Sequence, residues 1–147
     1  MIHLLDVNVL VALFDPVHVH HEAAHAWFAH ARGSGWASCP MTENGFVRVV
    51  SNPAYPGRRT TVGDAGDRLR RFAESGGHTH WPDDVSILHR GTLDVGHLGG
   101  YREITGAYLL ALAVRHGGAL ATFDRSVRTV AVPGSGPEHL VVLQTEG

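Results

Sequence analysis

The chain opens with a short apolar run that stops at an acid. Residues 2–5 are mostly apolar, as in a strand that is buried on both faces of a sheet. Asp6 follows at once, and the next apolar side chains have the spacing of one helix face: Val9, Leu10, Leu13 and Phe14. Open α/β sheets bind ligands at the carboxyl ends of their strands, where a carboxylate is costly to desolvate unless it is hydrogen-bonded, paired or bound to a metal. Asp6 is therefore the first candidate for a functional residue.

Strand and helix patterns alternate along the rest of the chain. The periodicity predicts helices over residues 8–14, 18–31, 43–50, 64–75, 85–93 and 103–116. It predicts strands over residues 2–5, 36–38, 80–81, 119–123, 130–132 and 140–143. Thr105 is the expected cap of the last helix, and residues 52–63 are expected to form an exposed loop. Such alternation indicates an α/β fold with a mostly parallel sheet and helices on both faces.

Size and composition limit the class of protein. A chain of 147 residues that is 44% hydrophobic is long enough for one well-cored domain, here expected to span residues 1–147. The net charge of −2 argues against an extensive basic coat for nucleic acid but leaves room for a local basic groove. Cys39 is the single cysteine, so an internal disulfide is excluded. Without a signal-peptide pattern or a segment of membrane-spanning length, we expect a cytoplasmic protein with no membrane partner.

Three acids from distant parts of the chain are expected to meet in one crevice. Asp6 and Asp124 each follow a predicted strand, and Glu43 opens a helix just after another one. Right-handed crossovers bring successive strand ends to the same edge of a sheet. Ionised acids repel one another, so such a cluster needs a cation, and carboxylate oxygens suit Mg²⁺ or Mn²⁺. Two such ions can activate a water and stabilise the leaving oxygen of a phosphodiester. Taken singly, Glu43 also suits the positive end of its helix dipole.

Four segments then occur in an order that resembles a known family. They are Leu-Leu-Asp-Val-Asn-Val-Leu at 4–10, Thr-Glu-Asn-Gly-Phe-Val-Arg at 42–48, Ile-Thr-Gly-Ala-Tyr-Leu-Leu-Ala-Leu-Ala at 104–113 and Thr-Phe-Asp-Arg at 122–125. The chain resembles PIN domains and, among them, the VapC toxins of bacterial toxin–antitoxin pairs. The resemblance implies a three-layer α/β/α sandwich, Mg²⁺- or Mn²⁺-dependent cleavage of RNA, homodimerisation and inhibition by a VapB-type antitoxin. It also implies that the apolar faces of the first three helices receive an antitoxin helix.

The resemblance assigns roles to individual residues. The catalytic and metal-binding acids of the family correspond to Asp6, Glu43 and Asp124. Asn8 and Thr122 match its supporting polar positions at the site.

One position departs from the family pattern. Gly106 stands where the family carries a further acid, so one ligand or ligand-orienting group is missing. Gly also costs roughly 1 kcal/mol relative to Ala inside a helix. We expect a natural loss of activity or an inactivating substitution, with weakened metal affinity and little nuclease activity. Glu103, about one turn earlier, is expected to point elsewhere.

Three other classes of protein are alternatives to the nuclease. Gly106 makes a second hypothesis plausible, in which the chain is a binding module that holds the antitoxin or RNA without cleaving it. A phosphoacceptor receiver domain also places acids at strand ends, but it needs a Lys and this chain has none. A haloacid-dehalogenase-type phosphatase needs a second Asp two residues after its nucleophile, where this chain has Asn8.

Two clusters of basic residues each allow two interpretations. His18, His20, His21 and His25 form a cluster, in which His18, His21 and His25 share a helix face at spacings that could hold zinc. A solvated helix face is favoured, because no nearby Cys or other evident ligand completes a tetrahedral site. A dense patch of arginines could contact RNA phosphates or could likewise be a solvated helix face: Arg58, Arg59, Arg68, Arg70 and Arg71. Arg70, Arg71 and Arg125 are retained as candidate RNA-binding residues.

Overall fold

The computed structural model describes residues 1–145, which contain one parallel sheet of five strands. The strands are β1 (His3–Leu5), β2 (Trp36–Ser38), β3 (His78–His80), β4 (Ala119–Thr122) and β5 (Leu140–Val142). Their order across the sheet is β3-β2-β1-β4-β5, so the first strand lies at the centre. Leu4 of β1 stands opposite Ala37 on one side and Leu120 on the other. The predicted parallel sheet is confirmed.

Five helices cover the two faces of this sheet. They are α1 (Val7–Phe14), α2 (His21–Ala31), α3 (Pro40–Ser51), α4 (Val62–Glu74) and α5 (Ile104–Arg115). Successive side chains of a strand point to opposite faces, and the core divides accordingly. Leu4 packs with the apolar residues of α5, whereas Leu5 packs with those of α1 to α4. The three-layer α/β/α fold is therefore confirmed. Within residues 1–145, every helix is too short or too polar to cross a bilayer.

The third helix begins three residues earlier than the sequence pattern predicted. Pro40 occupies the first helical position, where its missing N–H costs nothing. The Cys39 N–H donates to the Thr42 hydroxyl at 3.0 Å, and that hydroxyl donates to the Cys39 carbonyl at 3.1 Å. Because the helix starts at Pro40, Glu43 lies at the end of its first turn rather than at its opening.

Two predicted elements are wrong. Residues 85–93 form turns instead of a helix: Leu93 is buried in the core, but Ile87 and Leu88, in the middle of the predicted helix, are 49% and 90% exposed, and the Ser86 hydroxyl accepts the Leu88 N–H. Residues 129–131 form a 3-10 turn instead of a strand, and the Ala131 carbonyl accepts the Asp94 N–H at 2.8 Å. The predicted cap of α5 is wrong as well. That helix begins at Ile104, so Thr105 lies inside its first turn.

Gly118 gives a direct test of how tightly the sheet and α5 are joined. A Cβ at this position would collide with the Ile2 carbonyl oxygen and lie 2.7 Å from the Trp81 ring. We expect Gly118→Ala to lower the free energy of unfolding by about 1–3 kcal/mol, as overpacking does in well-packed cores. Chemical denaturation measures this value. Gly66→Ala is the matched control, because a Cβ there meets nothing within 4 Å and should stabilise α4. Equal stability of the two variants would contradict the packing described here.

Candidate active site

Asp6 joins the central strand to the first helix. Its Oδ1 accepts the Val7 N–H at 2.7 Å and so caps the start of α1. Its own N–H donates to the Ala121 carbonyl of β4 at 3.0 Å. The carboxylate is therefore held at the carboxyl edge of the sheet, between β1 and β4, as the sequence predicted.

Thr122 links the two acids at this edge. Its fully buried hydroxyl donates to Asp6 Oδ2 at 2.7 Å and accepts the Asp124 N–H at 3.0 Å. The Asn8 side-chain amide donates to the same hydroxyl at 3.2 Å, and Asn8 Oδ1 accepts the Phe123 N–H at 3.1 Å. Residues separated by more than 110 positions are thus held in one network, which fixes Asp6 relative to Asp124.

The two carboxylates differ in how their oxygens are used. Asp124 Oδ1 accepts the backbone N–H of Ser126 at 2.8 Å and its hydroxyl at 2.7 Å. Asp124 Oδ2 has no hydrogen bond to any of residues 1–145. Burial raises the pKa of Asp6, and the nearby Asp124 charge raises it further, against the lowering by the hydrogen bonds from Thr122 and Val7. An ionised pair at this place is therefore unfavourable unless a cation compensates it.

Both acids line an open cleft of about 420 Å³. Gly106 lines the same cleft, so the position at which the family resemblance implies a further acid does face Asp6 and Asp124. A Cβ on Gly106 would lie 2.6 Å from Cγ2 of Val127, a side chain that is only 6% exposed. Val127 therefore fills the space that a larger residue at position 106 would need.

Glu43 lies apart from this pair. Its Oε2 accepts the Ser38 hydroxyl at 2.6 Å and contacts Nδ1 of His80 at 2.8 Å. It lines a different pocket, with Ser38 and His78, and does not line the cleft of Asp6 and Asp124. Within residues 1–145 there is no group of three His, Cys, Asp or Glu side chains arranged to hold a metal. The structure thus brings together two of the three predicted acids, and Glu43 lies toward the end of β3 instead.

Glu103 does not replace the acid that is missing at position 106. Its Oε1 accepts a hydrogen bond from Arg128 at 2.8 Å, and this bond lowers the pKa of Glu103. Glu103 is not among the residues that line the cleft. The expectation that it points elsewhere is confirmed.

Two histidines of the predicted cluster contact backbone carbonyls at the end of α1. Nδ1 of His21 contacts the Ala12 carbonyl at 2.7 Å, and Nε2 of His25 contacts the Leu13 carbonyl at 2.8 Å. Carbonyls at the end of a helix lack partners within the helix, so these rings satisfy them. The zinc interpretation, the less favoured of the two, finds no support, since no group of three His, Cys, Asp or Glu side chains in residues 1–145 is arranged to hold a metal. The solvated-face alternative is incomplete, since His18 lines the active-site cleft.

The candidate RNA-binding arginines lie in different surroundings. Arg70 pairs with Asp67 at 2.7 Å on the exposed side of α4, and Arg71 lines an apolar groove. Arg125 is exposed next to Asp124 and has no ion pair within residues 1–145.

The sequence analysis did not identify Arg102 or Tyr55, yet both line the cleft. They come from a turn and a loop, where no periodic pattern indicates which way a side chain points.

Asp15 fastens the loop of Tyr55 to the end of α1. Its Oδ2 accepts the Tyr55 hydroxyl at 2.6 Å and its Oδ1 accepts the Val17 N–H at 3.0 Å. Burial alone would raise the pKa of Asp15, but these hydrogen bonds and the charges of His18 and His21 outweigh it, so the pKa is lowered. A lowered pKa means that the ionised carboxylate stabilises the fold above the unfolded-state value of about 3.9.

We therefore expect Asp15→Asn to lower the free energy of unfolding at pH 7 by about 1.5–3 kcal/mol, as is typical when a hydrogen bond to a charged group is lost. This difference should shrink as the pH falls from about 5 through the lowered pKa of Asp15, because the wild-type carboxylate is then protonated. Urea denaturation at several pH values measures both effects. A difference that stays constant down to pH 3 would contradict the assignment.

Comparisons with known proteins agree with this architecture. The sequence matches the PIN domain family model over residues 3–133. It is 49% identical over 140 residues to Ribonuclease VapC44 of Mycobacterium tuberculosis, covering 95% of this chain and 98% of that protein. It is 44% identical over 131 residues to Ribonuclease VapC39 of the same species, covering 89% of this chain and 94% of that protein. Ribonuclease VapC38 is 45% identical over 128 residues, or 87% of this chain and 89% of its own length. The chain therefore belongs to the PIN domain family, within its VapC group.

Proposed function

We propose that this chain is the toxin of a type II toxin–antitoxin pair and a metal-dependent endoribonuclease whose activity is weakened by Gly106. The main support is the pair of carboxylates, Asp6 and Asp124, which Thr122 holds at the carboxyl edge of a parallel sheet. Relatives named ribonucleases share 44–49% of the sequence, which supports RNA as the substrate. A toxin with such a target would act in the cytoplasm.

The residues at the cleft fit a hard divalent cation. Mg²⁺ typically binds through one or two carboxylates and keeps waters and substrate phosphates as its other ligands. Asp6 and Asp124 supply two carboxylates, and Asp124 Oδ2 has no other partner within residues 1–145. The raised pKa of Asp6 also indicates a negative charge that lacks compensation. We therefore propose Asp6 and Asp124 as ligands of Mg²⁺ or Mn²⁺. Glu43 is left out of this set because it lines a different pocket and not the cleft of Asp6 and Asp124.

Each residue of the cleft has a defined part in the proposed reaction. A bound divalent ion would supply an activated water and would offset the charge on the scissile phosphate. Asp6 and Asp124 would hold the ion in position, and hydrogen bonds through Thr122 and Asn8 hold the two acids in place. Arg102 is exposed at the wall of the cleft, where its guanidinium can contact a phosphate oxygen of the substrate.

Gly106 supports a second candidate function. With only two carboxylates facing the cleft, the chain could hold RNA or an antitoxin without cleaving the RNA. The deciding experiment incubates the purified chain with a mixed-sequence RNA in Mg²⁺, in Mn²⁺ and in EDTA. Slow cleavage that requires the metal supports the weakened nuclease. RNA binding without cleavage, even after long incubation with Mn²⁺, would favour the binding module instead.

An apolar groove supports the antitoxin as the partner. The groove has a volume of about 430 Å³ and lies among the first four helices, lined by Leu10, Leu13, Phe14, His25, Phe46, Arg68, Leu69, Arg71 and Phe72. We propose that it receives an amphipathic antitoxin helix, with acidic residues of that helix near Arg68 and Arg71. Leu69→Glu should weaken antitoxin binding strongly because it places a carboxylate in this groove. Calorimetric titration with the cognate antitoxin measures the effect, and unchanged affinity would contradict the assignment.

Exposed apolar residues support a homodimer. Val95, Tyr101, Ile104 and Val130 are all at least 41% exposed, and they belong to turns that pack together around the start of α5. We propose that this surface joins two copies of the chain. Light scattering should then give twice the mass of 15.8 kDa.

A further inference from the structure

A second pocket adjoins the active-site cleft. It has a volume of about 160 Å³ and lies between the end of α1, the loop before α4 and the first turns of α4. Tyr55 lines both this pocket and the cleft that contains Asp6 and Asp124. A strand of nucleic acid that leaves the cleft past Tyr55 would therefore enter the second pocket.

The loop that forms this pocket is fixed to the fold. The Tyr55 hydroxyl donates to Asp15, a residue that is only 8% exposed. Gly57 adopts a φ of +124°, a conformation that side chains rarely allow, and a Cβ there would lie 3.6 Å from Asp15 Oδ2 and 3.8 Å from the Tyr55 ring. The Thr60 hydroxyl contacts the Arg58 carbonyl at 3.5 Å, and Thr60 is 8% exposed. The pocket is thus preorganised at both ends of the loop.

The charge in this pocket is mainly positive and available. Arg58, Arg59 and Arg68 line it, and none of them forms an ion pair within residues 1–145. Asp15 and Asp64 line it too, so three guanidinium groups face two carboxylates and the net charge is +1, while the Tyr55 hydroxyl and the Val17 N–H bind the two oxygens of Asp15. The Arg68 guanidinium lies 5.3 Å from the centre of the Phe14 ring, which holds it without neutralising it. By contrast, Arg70, Arg115 and Arg128 are each paired with an acid.

We propose that Arg58, Arg59 and Arg68 form a phosphate-binding subsite for the RNA strand whose scissile bond lies at Asp6 and Asp124. This inference rests on the proposed nuclease function. Guanidinium groups bind phosphate oxygens through paired hydrogen bonds, and RNA is favoured over an acidic protein because the subsite continues directly from the cleft. The contacts are to the backbone, so they position the strand without reading its sequence.

The test measures binding of RNA without cleavage. Fluorescence anisotropy in EDTA, over a series of salt concentrations, compares the wild-type chain with Arg58→Ala/Arg59→Ala on a trinucleotide and on a dodecanucleotide. Arg68 is left intact because it also lines the apolar groove. Arg32→Ala/Arg90→Ala is the matched control, since both side chains are exposed and line neither the subsite, the cleft nor the apolar groove, so the same charge is removed elsewhere. Arg58→Lys/Arg59→Lys keeps the charge in place.

We expect Arg58→Ala/Arg59→Ala to weaken dodecanucleotide binding on the order of tenfold at low salt and to leave trinucleotide binding nearly unchanged. The slope of log affinity against log salt should become shallower by about 1.4, for two lost contacts to a single strand. The lysine variant should keep the slope, and the control should keep both the slope and the affinity.

Three results would overturn the proposal: an unchanged slope in Arg58→Ala/Arg59→Ala, an equal loss in the control, or an equal loss for both RNA lengths. Unchanged RNA binding together with weaker binding of a polyglutamate peptide would assign the pocket to an acidic protein instead. The proposed function fails separately, if the wild-type chain neither binds RNA in EDTA nor cleaves it in Mg²⁺.

Discussion

The double variant Gly106→Asp/Val127→Ala is expected to cleave RNA on the order of 10- to 100-fold faster than the wild-type chain in Mg²⁺, the range over which metal-site partners typically act. Gly106 lines the cleft of Asp6 and Asp124, so an Asp at this position adds a third carboxylate beside them. Val127→Ala removes Cγ2, the atom that would lie 2.6 Å from the new Cβ. Initial rates on a fluorescent RNA, with and without EDTA, measure the gain.

The single variants separate the restored acid from the packing change. Gly106→Asp alone should lose about 1–3 kcal/mol of stability and show less activity than the double variant, because its side chain is crowded against Val127. Val127→Ala alone should leave the activity unchanged. The two substitutions should therefore be non-additive, as is usual for residues in contact. If Gly106→Asp/Val127→Ala is no more active than the wild-type chain, the missing acid is not what limits catalysis.

Asp6→Asn is expected to abolish metal binding while it raises the stability of the metal-free chain. The pKa of Asp6 is raised by burial and by the charge of Asp124, so its ionised form is disfavoured in the fold. For a carboxyl group with a raised pKa, stability falls as the pH rises from the unfolded-state value through the folded-state value. A neutral Asn avoids that loss. Asn also caps helices as well as Asp does, so α1 keeps its start.

Thermal unfolding in EDTA and in excess Mg²⁺ tests both parts of this prediction. In EDTA the melting temperature of Asp6→Asn should exceed that of the wild-type chain. At a metal concentration of 100 times the Kd, binding stabilises a protein by about 2.7 kcal/mol, which is roughly 5–10 °C for a chain of this size. Only the wild-type chain should show this rise. Asn8→Asp is a useful comparison, because it adds a charge in the same network. A lower melting temperature for Asp6→Asn in EDTA would mean that its charge stabilises the fold.

Much of the site could be predicted because it depends on the order of strands. Asp6 and Asp124 each end a strand that the apolar pattern identifies, and parallel strands place their ends at one edge of the sheet. Within that edge, the hydrogen bonds of the Thr122 hydroxyl hold Asp6 and Asp124 next to each other. The family resemblance then gave the same two residues a chemical role, which remains to be tested.

The placement of Glu43 could not be predicted from periodicity. Its direction depends on how α3 packs beside β2 and β3, and a local pattern does not contain that packing. Glu43 consequently bonds to Ser38 and meets His80 at the end of β3.

Two further features depend on contacts that no local pattern contains. Val127 occupies the space beside Gly106 although 20 residues separate them, so the family resemblance implied an absent acid at position 106 but not the side chain that fills the space there. Residues 85–93 carry a helical apolar pattern, yet Leu88 finds no surface to cover and is 90% exposed. Hydrophobic spacing predicts a helix only where another layer of the fold can receive its apolar face.

The most direct test of the central claim is a titration of the wild-type chain with Mn²⁺, followed by electron paramagnetic resonance of the free ion. If Asp6 and Asp124 jointly hold a divalent cation, the wild-type chain binds it saturably, and both Asp6→Asn and Asp124→Asn lose that binding while Glu43→Gln keeps it. Binding that persists in Asp6→Asn and Asp124→Asn, or that disappears in Glu43→Gln, would contradict the account.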